Sequence, residues 1–213
     1  MKEETVNIII IGYNVPKLER TCLKNVHANT THPYLLTYYD NFNSGLTLTQ
    51  VWNKLVDYSP CKYICLLNND TEVSPDWLTL MYEVLGKEID GKRVGFVGPS
   101  TNSCHSRQKE VPTRELALTH KSEIEIMDQP ISGFCLLFAK TTWIYLNGFD
   151  ERYGLYGQES DFIDRAKQDL ALECAWRKDA FVYHHGEASI KAHAVDVAAE
   201  RKKAKDIYWR DRG

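Results

Sequence analysis

The first hundred residues alternate between short, continuously apolar runs and longer stretches with helical periodicity. Val6–Ile11, rich in β-branched residues, is typical of a strand covered on both faces, and Tyr63–Leu67 is predicted to be a buried strand. Leu35–Tyr39 is predicted to be the strand between them in the sequence. A helix that opens at Pro16 follows the first run, and a helix with apolar positions between 48 and 56 follows the second. This alternation predicts an α/β fold with a mostly parallel sheet and helices on both faces.

The helices between these strands have predictable buried faces. In the first helix Leu18, Cys22 and Val26 recur at four-residue steps, which places them on one face. The helix after the third strand is predicted to be capped by Ser74-Pro75-Asp76 and to bury apolar residues between Trp77 and Leu85.

The second half of the chain is less regular. We predict strands at Arg93–Gly98, Ile131–Ala139 and Ala180–Tyr183, and a helix at Glu159–Leu170. The polar stretch 99–130 is predicted to form loops. Because neither a linker nor an internal repeat interrupts the pattern, we predict a single domain over residues 1–213.

Composition and charge narrow the function classes. Lys and Arg total 26 against 29 Asp and Glu, so the chain lacks the basic surplus that nucleic-acid binding requires. No apolar run approaches the ~20 residues of a membrane span, and no signal-peptide pattern occurs at the start. The six cysteines form no CxxC pair, and several lie in apolar runs. We therefore expect a cytoplasmic protein with free cysteines and no nucleic-acid partner.

Polar side chains follow the predicted strands at the points where they end. These are Tyr13-Asn14, Asp40-Asn41, Asn68-Asn69-Asp70 and His184-His185. Taken singly, Asn and Asp at such positions are ordinary turn formers. Together they would meet at the carboxyl edge of the sheet, where open α/β folds bind ligands. Their oxygens and imidazoles suit a sugar, a nucleotide and a divalent cation such as Mg²⁺ or Mn²⁺.

Nine short motifs follow one another along the chain, each occurring once. They are Ile-Ile-Gly-Tyr-Asn (10–14), Tyr-Asp-Asn-Phe-Asn-Ser-Gly (39–45), Trp-Asn-Lys (52–54), Leu-Leu-Asn-Asn-Asp-Thr-Glu-Val (66–73), Gly-Pro-Ser-Thr-Asn (98–102), Ile-Ser-Gly-Phe-Cys-Leu-Leu (131–137), Asn-Gly-Phe-Asp-Glu (147–151), Gly-Gln-Glu-Ser-Asp-Phe-Ile-Asp-Arg (157–165) and His-His-Gly-Glu-Ala-Ser (184–189). In this order the chain resembles the family 2 glycosyltransferases of the GT-A fold, from about Val6 to Ser189.

The resemblance implies an inverting enzyme that moves a sugar from a nucleotide-sugar to an acceptor hydroxyl. It implies a nucleotide-binding half over 1–100, an acceptor-binding half over 101–190 and a C-terminal helix over 191–213. The implied roles follow. They are catalysis by Glu159, as general base, and Asp161; metal binding by Asp70 and His184, the latter preferred to His185; nucleotide-sugar binding by Gly12, Tyr13, Asn14, Asp40, Asn41, Asn53, Asn68, Asn69 and Asp70; and acceptor binding by Gly133 and Gln158.

Two departures from the family pattern leave alternatives open. The usual Glu-Asp pair reads Gln158-Glu159 when Asp161 and Arg165 fix the register, whereas a register shifted by one would put Ser160 at the base position. Asn68 replaces the first acid of the family's DxD element. A non-catalytic nucleotide- or sugar-binding module is therefore the alternative function. A nucleotidyltransferase is disfavoured because no Gly-rich basic loop follows the first strand.

The expected partners follow from the same residues. We expect a UDP- or dTDP-sugar donor, because Asp40 could accept a hydrogen bond from the N3–H that uracil and thymine share. The acceptor is expected to be a saccharide or lipid-linked. The basic segment 191–212 is either a solvated helix or a peripheral contact with an anionic membrane.

Overall fold

The computed structural model describes residues 4–186 and 196–210. Its strands are β1 (Val6–Gly12), β2 (Tyr34–Asp40), β3 (Tyr63–Asn68), β4 (Thr71–Val73), β5 (Glu88–Ile89), β6 (Lys92–Ser100), β7 (Ile124–Met127), β8 (Cys135–Ala139) and β9 (Leu172–His184). Its helices are α1 (Pro16–Asn29), α2 (Leu48–Tyr58), α3 (Trp77–Tyr82), α4 (Arg114–Thr119), α5 (Lys140–Leu146), α6 (Gln158–Leu170) and α7 (Val197–Arg210).

The main path of the sheet runs β2-β1-β3-β8-β6-β9-β4. β1 pairs in parallel with β2 and β3, and β6 pairs in parallel with β9. β8 runs antiparallel to both β3 and β6, so these two neighbours of β8 share one direction. Strands β2, β1, β3, β6 and β9 therefore all point the same way, and the predicted α/β fold with a mostly parallel central sheet is confirmed.

Two apolar clusters cover the two faces of this sheet. Alternation along β1 sends Ile9 and Ile11 into a cluster with α2, α5 and α6, and sends Ile8 and Ile10 into a cluster with α1 and α3. All seven residues of β1 are buried, as the uninterrupted apolar run predicts. Because both faces are covered, ligands have access at the edge where the parallel strands end.

The buried face of α1 and the cap of α3 differ from the prediction, whereas the buried residues of α3, Trp77, Leu78 and Met81, are those predicted. In α1 the buried residues are Glu19, Cys22 and Val26, so a carboxylate occupies the inner face where Leu18 was expected. In α3 the N-cap Asp76 adopts a left-handed backbone (φ 62°) and makes no side-chain cap bond, and the helix ends at Tyr82. The helix therefore begins where predicted, with Asp76 at the N-cap position, but the predicted side-chain cap is absent because the chain enters the helix through a tight turn.

The second half contains more regular structure than expected. The stretch 99–130 was predicted to be loops, but it holds the end of β6, a 3₁₀ turn at Arg107–Glu110, α4 and β7. The strand predicted from Ile131 begins only at Cys135, and the last strand is 13 residues long. Strand β7 pairs with β9, so a distant partner rather than a strong local pattern decides its conformation.

No helix among residues 4–186 and 196–210 is long and apolar enough to cross a bilayer. All six cysteines are unpaired, and Cys22, Cys65, Cys135 and Cys174 are buried.

Candidate functional site

A cleft of about 780 Å³ opens at the carboxyl edge of the sheet. Its lining combines the ends of β1 and β3, the loop before β8, the start of α6, the end of β9 and one side of α7. The predicted site residues that line it are Tyr13, Asn41, Asn68, Asn69, Asp70, Gly133, Gln158, Glu159 and His184. The fold therefore brings polar groups from distant parts of the sequence to one cavity of a size suited to a small ligand.

Asp70 and His184 face each other inside this cleft. Thr71, which follows Asp70, pairs with His184 across the antiparallel β4–β9 ladder. His184 Nε2 lies 3.2 Å from Asp70 Oδ1, and the other ring nitrogen, Nδ1, lies 2.9 Å from the carbonyl oxygen of Ser103. Because a carbonyl only accepts, Nδ1 carries a proton and donates it there, which fixes the ring with Nε2 towards the carboxylate. Phe134 stacks on the ring at 5.2 Å and holds its plane.

This pair has the donor chemistry of a small divalent-cation site. Two ligands in adjacent octahedral positions, each about 2.1 Å from the metal, lie about 3 Å apart, close to the Asp70–His184 separation. The carbonyl behind the imidazole is the outer partner that metal-bound histidines ordinarily have. The described residues bring no group of three His, Cys, Asp or Glu side chains together in a metal-binding arrangement. Remaining positions would have to be filled by a ligand's oxygens and water.

His185, the neighbouring histidine, takes part in a different pair. Its Nε2 lies 2.8 Å from Glu72 Oε1, and its backbone N–H donates to the backbone oxygen of Asp70 at 2.9 Å. The structure therefore places His184, rather than His185, beside the Asp70 carboxylate.

Glu159 provides a second carboxylate at the start of α6. Burial raises the pKa of this carboxyl, while the backbone N–H groups of Glu159 and Gly133 donate to it and oppose that rise. Among the described residues Glu159 Oε2 has no hydrogen-bond partner and is shielded from water. A carboxylate with a raised pKa and a free oxygen has the properties of a general base.

Gly133 leaves the space that Glu159 occupies. A Cβ added at residue 133 would lie 2.8 Å from Glu159 Cγ and 2.9 Å from Cδ, which is closer than real Cβ contacts. Only glycine therefore allows the carboxylate to approach the backbone N–H of residue 133.

We expect Gly133→Ala to displace the Glu159 carboxylate and to destabilise the fold by about 1–3 kcal/mol, the usual cost of overpacking. Chemical denaturation measures the stability, and a transfer assay measures the rate. In the Glu159→Gln background the same substitution should lower the rate little further, because the two changes act through one carboxylate. Fully additive rate losses would contradict this coupling.

Gln158 lies beside Glu159 at the head of α6. It is buried, and its Oε1 has no hydrogen-bond partner among the described residues. A buried amide oxygen at the cleft wall is satisfied only when a donor, such as a sugar hydroxyl or water, reaches it.

Glu19 is the functional-site feature that the sequence prediction missed. Its buried carboxylate accepts hydrogen bonds from the backbone N–H of Tyr13 at 2.7 Å and of Val15 at 3.2 Å. Asn69 Nδ2 donates to the same oxygen at 3.2 Å, and the Tyr38 hydroxyl donates to Oε2 at 3.1 Å. Partial burial and the Glu19 carboxylate raise the pKa of Tyr38 to about 12. Glu19 therefore ties the loop after β1 to the turn after β3.

We expect Glu19→Ala to destabilise the protein by about 2–4 kcal/mol, because it leaves two backbone N–H groups without an acceptor. Glu19→Gln should cost much less, since its amide oxygen can still take the three bonds made to Oε1. Urea denaturation of the two variants measures the difference. Equal losses would show that the carboxylate's charge, rather than its hydrogen bonds, stabilises the loop.

Five predicted site residues lie outside the cleft lining. Gly12 packs under the Tyr38 ring, which leaves no room for a Cβ, and Asn14 is an exposed residue with a left-handed backbone (φ 51°). Asp40 is exposed, and its Oδ1 accepts from the Phe42 N–H. None of these three residues lines the cleft, and each has a local structural role: close packing at Gly12, a left-handed backbone at Asn14 and a turn hydrogen bond at Asp40.

The other two, Asn53 and Asp161, join helices to a loop. Asn53 exchanges two hydrogen bonds of 3.0 Å with the backbone of Phe149. Asp161 pairs with Arg165 at 2.8 Å, and that guanidinium donates to the carbonyls of Leu146 and Gly148. Both residues thus hold the 146–149 turn in place, and the structure does not bring the Asp161 carboxylate to the cleft. Asn41 does line the cleft, but its amide bonds Leu46 and Ser44 within its own loop.

The basic C-terminal helix α7 packs against the body of the protein. Ile207 is buried, and the Tyr208 hydroxyl donates to Asp164 Oδ2 on α6 at 2.5 Å. Arg201 and Lys203 line the cleft. The expectations of a fully solvated helix or a membrane contact therefore do not describe this side of α7. Of the predicted segment 191–212, residues 191–195, 211 and 212 lie outside the described residues.

Comparison with known proteins supports the fold. No protein-family model and no curated protein sequence matches the chain. Three solved glycosyltransferases with GT-A-type folds are similar in structure. GalNAc-T7 with UDP, GalNAc and Mn²⁺ has a TM-score of 0.62 at 13% identity over 86% of this chain and 44% of its own. Mannosyltransferase PcManGT from Pyrobaculum calidifontis, with GDP-Man and Mn²⁺, has a TM-score of 0.60 at 12% identity, and the match covers 86% of this chain and 57% of that protein. The catalytic domain of Drosophila β1,4-galactosyltransferase 7 with xylobiose has a TM-score of 0.54 at 11% identity, and the match covers 82% of this chain and 65% of that domain.

The chain thus spans about half to two thirds of the length of these structures. At such low identity the similarity concerns the fold alone, and it shows that the fold of this chain is of the GT-A type found in these glycosyltransferases.

Proposed function

We propose that this protein is an inverting glycosyltransferase, of the family 2 kind, that uses a nucleotide-sugar donor and a divalent cation. The observation that carries the proposal is the presence of two sets of polar groups in one cleft. Asp70 and His184 place a carboxylate beside an imidazole nitrogen, and Glu159 supplies a carboxylate with a raised pKa. The similar structures include two that hold Mn²⁺, one with UDP and one with GDP-Man.

In this proposal Glu159 is the general base. Its carboxylate takes the proton of the acceptor hydroxyl as that oxygen attacks the anomeric carbon from the side opposite the leaving diphosphate. The raised pKa strengthens the base, and the N–H groups of Gly133 and Glu159 keep the carboxylate oriented. Gln158 Oε1 accepts from another hydroxyl of the acceptor.

Asp70 Oδ1 and His184 Nε2 would hold the cation, which offsets the negative charge that grows on the diphosphate as it leaves. The carbonyl of Ser103 accepts from Nδ1 and so keeps the imidazole tautomer in which Nε2 carries no proton and can bind a metal ion. Asn68, which stands where the family has an acid, lies 3.4 Å from the same Nε2 through its Nδ2 and adds no charge. The site therefore relies on one carboxylate and on the diphosphate's own oxygens.

A panel of nucleotide-sugars tests the function directly. Slow release of free sugar from one of them in the presence of Mn²⁺, without any acceptor, is the expected result. The same preparation with Glu72→Gln is the matched control, because Glu72 pairs with His185 outside the proposed cation site. Tight binding of a nucleotide-sugar without turnover, in wild type and with every acceptor tried, would contradict the proposal.

That last outcome would favour the alternative, a non-catalytic nucleotide- or sugar-binding module. Its supporting observation is the lack, among the described residues, of three grouped metal-binding side chains. The replacement of the family's Glu-Asp pair by Gln158-Glu159 points in the same direction.

For the nucleobase we keep uracil or thymine as the prediction. UDP or dTDP should raise the melting temperature more than GDP or CDP at equal concentration with Mn²⁺, because a ligand that binds the native state stabilises it by mass action. Asp40, the residue behind this prediction, lies outside the cleft lining, so Asp40→Ala tests it. Larger stabilisation by GDP would overturn the pyrimidine prediction.

A further inference from the structure

One wall of the cleft is formed by α7, and it carries charged side chains that have no role in the proposed function, which uses Glu159 and the Asp70–His184 pair. Glu200, Arg201 and Lys203 all line the cavity. Arg201 lies 5.1 Å above the ring centre of Tyr156 and donates to His105 Nε2 at 2.9 Å. The guanidinium is therefore held over the cleft by stacking and by a hydrogen bond.

Lys203 and Glu200 lie near Gly154, two residues before Tyr156. A Cβ built on Gly154 would lie 3.0 Å from Glu200 Oε2 and 3.8 Å from Lys203 Nζ. Among the described residues no ion-pair partner is found for Lys203. The adjacent Lys202, in contrast, pairs with Asp206 at 2.6 Å on the outer side of the helix.

The position of these groups relative to the proposed base selects the ligand they meet. Gly154 and Tyr156 belong to the loop that leads directly into Gly157, Gln158 and Glu159. A general base must contact the hydroxyl that it deprotonates, so the acceptor lies against this loop. The loop is glycine-containing and close-packed under α7, since a Cβ on Gly157 would lie 3.3 Å from Ala204 Cβ. Lys203, near Gly154, and Arg201, above Tyr156, therefore lie against the loop that leads to the proposed base.

We propose that the acceptor is an anionic saccharide, whose phosphate or carboxylate group is bound by Lys203 and Arg201. Glu200 accepts a hydrogen bond from a hydroxyl of the same molecule. Charge-assisted bonds to a phosphate or carboxylate are the strongest that these two cations form. This inference rests on the proposed function, because it uses Glu159 to define the acceptor side.

Three sugars that differ at one carbon test the inference: methyl β-D-glucoside, methyl β-D-glucuronide and the 6-phosphate of the glucoside. Their affinities are measured by ligand-observed NMR with wild type, Lys203→Gln and Lys202→Gln. Wild type should bind at least one charged sugar about tenfold or more tightly than the neutral one, and the stronger of the two identifies the anion. Lys203→Gln should lose this preference, whereas Lys202→Gln, the matched control on the same helix, should keep it.

Equal binding of the three sugars by wild type, or a preference that survives in Lys203→Gln, would overturn the inference. A second measurement excludes contact with the donor: where turnover is seen, Lys203→Gln should raise the KM of the acceptor rather than that of the donor. A rise confined to the donor KM would assign the cations to the diphosphate and also overturn it. A preference for anionic sugars without any turnover would instead contradict the proposed function and leave the anion site standing.

Discussion

Glu159→Gln should lower the rate of sugar transfer by about 10²–10⁴, the usual effect of losing a general base, while nucleotide binding stays within a few-fold of wild type. Glutamine keeps the size of the side chain and one oxygen for the N–H of Gly133, but it cannot take up a proton at the cleft. The loss should appear in kcat with the donor KM nearly constant, because the carboxylate is invoked only where the acceptor proton moves.

Asp161→Asn is the matched control for this variant. It removes a carboxylate two residues further along the same helix, where the side chain pairs with Arg165 outside the cleft. We expect its main effect on stability, through the loosened 146–149 turn. If Asp161→Asn lost more activity than Glu159→Gln at equal folded fraction, Asp161 would be the base. If Ser160→Ala were the damaging change, the register of the acidic pair would be shifted by one.

The pH profile gives an independent test of the same residue. Because burial raises the pKa of Glu159, its deprotonated form is lost at a higher pH than for an exposed carboxyl. The acidic limb of the rate profile should therefore lie above the ordinary glutamate pKa of about 4.3, and it should disappear in Glu159→Gln.

Folding stability should respond to pH with the corresponding sign. The folded state binds the Glu159 proton more tightly than the unfolded state does, so this carboxyl favours folding below its unfolded pKa and loses that contribution as pH rises through its folded pKa. Stability relative to Glu159→Gln should accordingly fall as pH rises across this interval. Denaturation of both proteins at several pH values measures it.

The predictable part of the fold is the part with strong hydrophobic patterns. Strand β1 is a run of buried β-branched residues, and α2 has apolar positions at helical spacing, so both were located within one or two residues. Strand β7 and helix α4 were missed because their partners decide their conformation: Ile124–Met127 is only four residues long and pairs with the distant β9. Tertiary pairing of this kind leaves little trace in a local window.

The candidate site was predictable to the extent that strand ends converge. Asp70 and His184 are 114 positions apart in the sequence, yet both follow or end strands that reach the same edge of the sheet. Side-chain direction was not predictable: Asn53 was predicted to bind the nucleotide-sugar and Asp161 to take part in catalysis, whereas both have partners that hold the 146–149 turn.

Glu19 was missed for a different reason. Charged residues are usually on the solvent side of a helix, and Leu18 offered an apolar alternative at four residues from Cys22. Yet Glu19, Cys22 and Val26 also share one face, at spacings of three and four, and the chain uses this face. The position of Glu19 on this helix face was therefore the one sign of its burial in the sequence. The backbone N–H groups that stabilise the buried carboxylate belong to the loop after β1, whose conformation depends on the whole fold.

Asp70→Asn should abolish the Mn²⁺ dependence of nucleotide binding and transfer. Asp70 is buried and is the one acid in the Asn68-Asn69-Asp70 turn. No other side chain of that turn can therefore replace its negative charge. We expect the affinity for Mn²⁺ in the presence of nucleotide to fall by at least about 100-fold. Losing only a residue that supports a metal ligand already costs up to about 100-fold, and Asp70 is proposed as a ligand itself.

Two further variants separate the cation from a general effect on the fold. His184→Ala should weaken the Mn²⁺ dependence less than Asp70→Asn, since a neutral imidazole contributes no charge. Glu72→Gln removes a neighbouring carboxylate paired with His185 and should leave the dependence unchanged. Thermal-shift titrations of Mn²⁺ at fixed nucleotide measure all four proteins, because a cation bound only by the native state raises its melting temperature. An unchanged Mn²⁺ titration in Asp70→Asn, with loss in Glu72→Gln instead, would move the cation to the Glu72–His185 pair on the other side of β4.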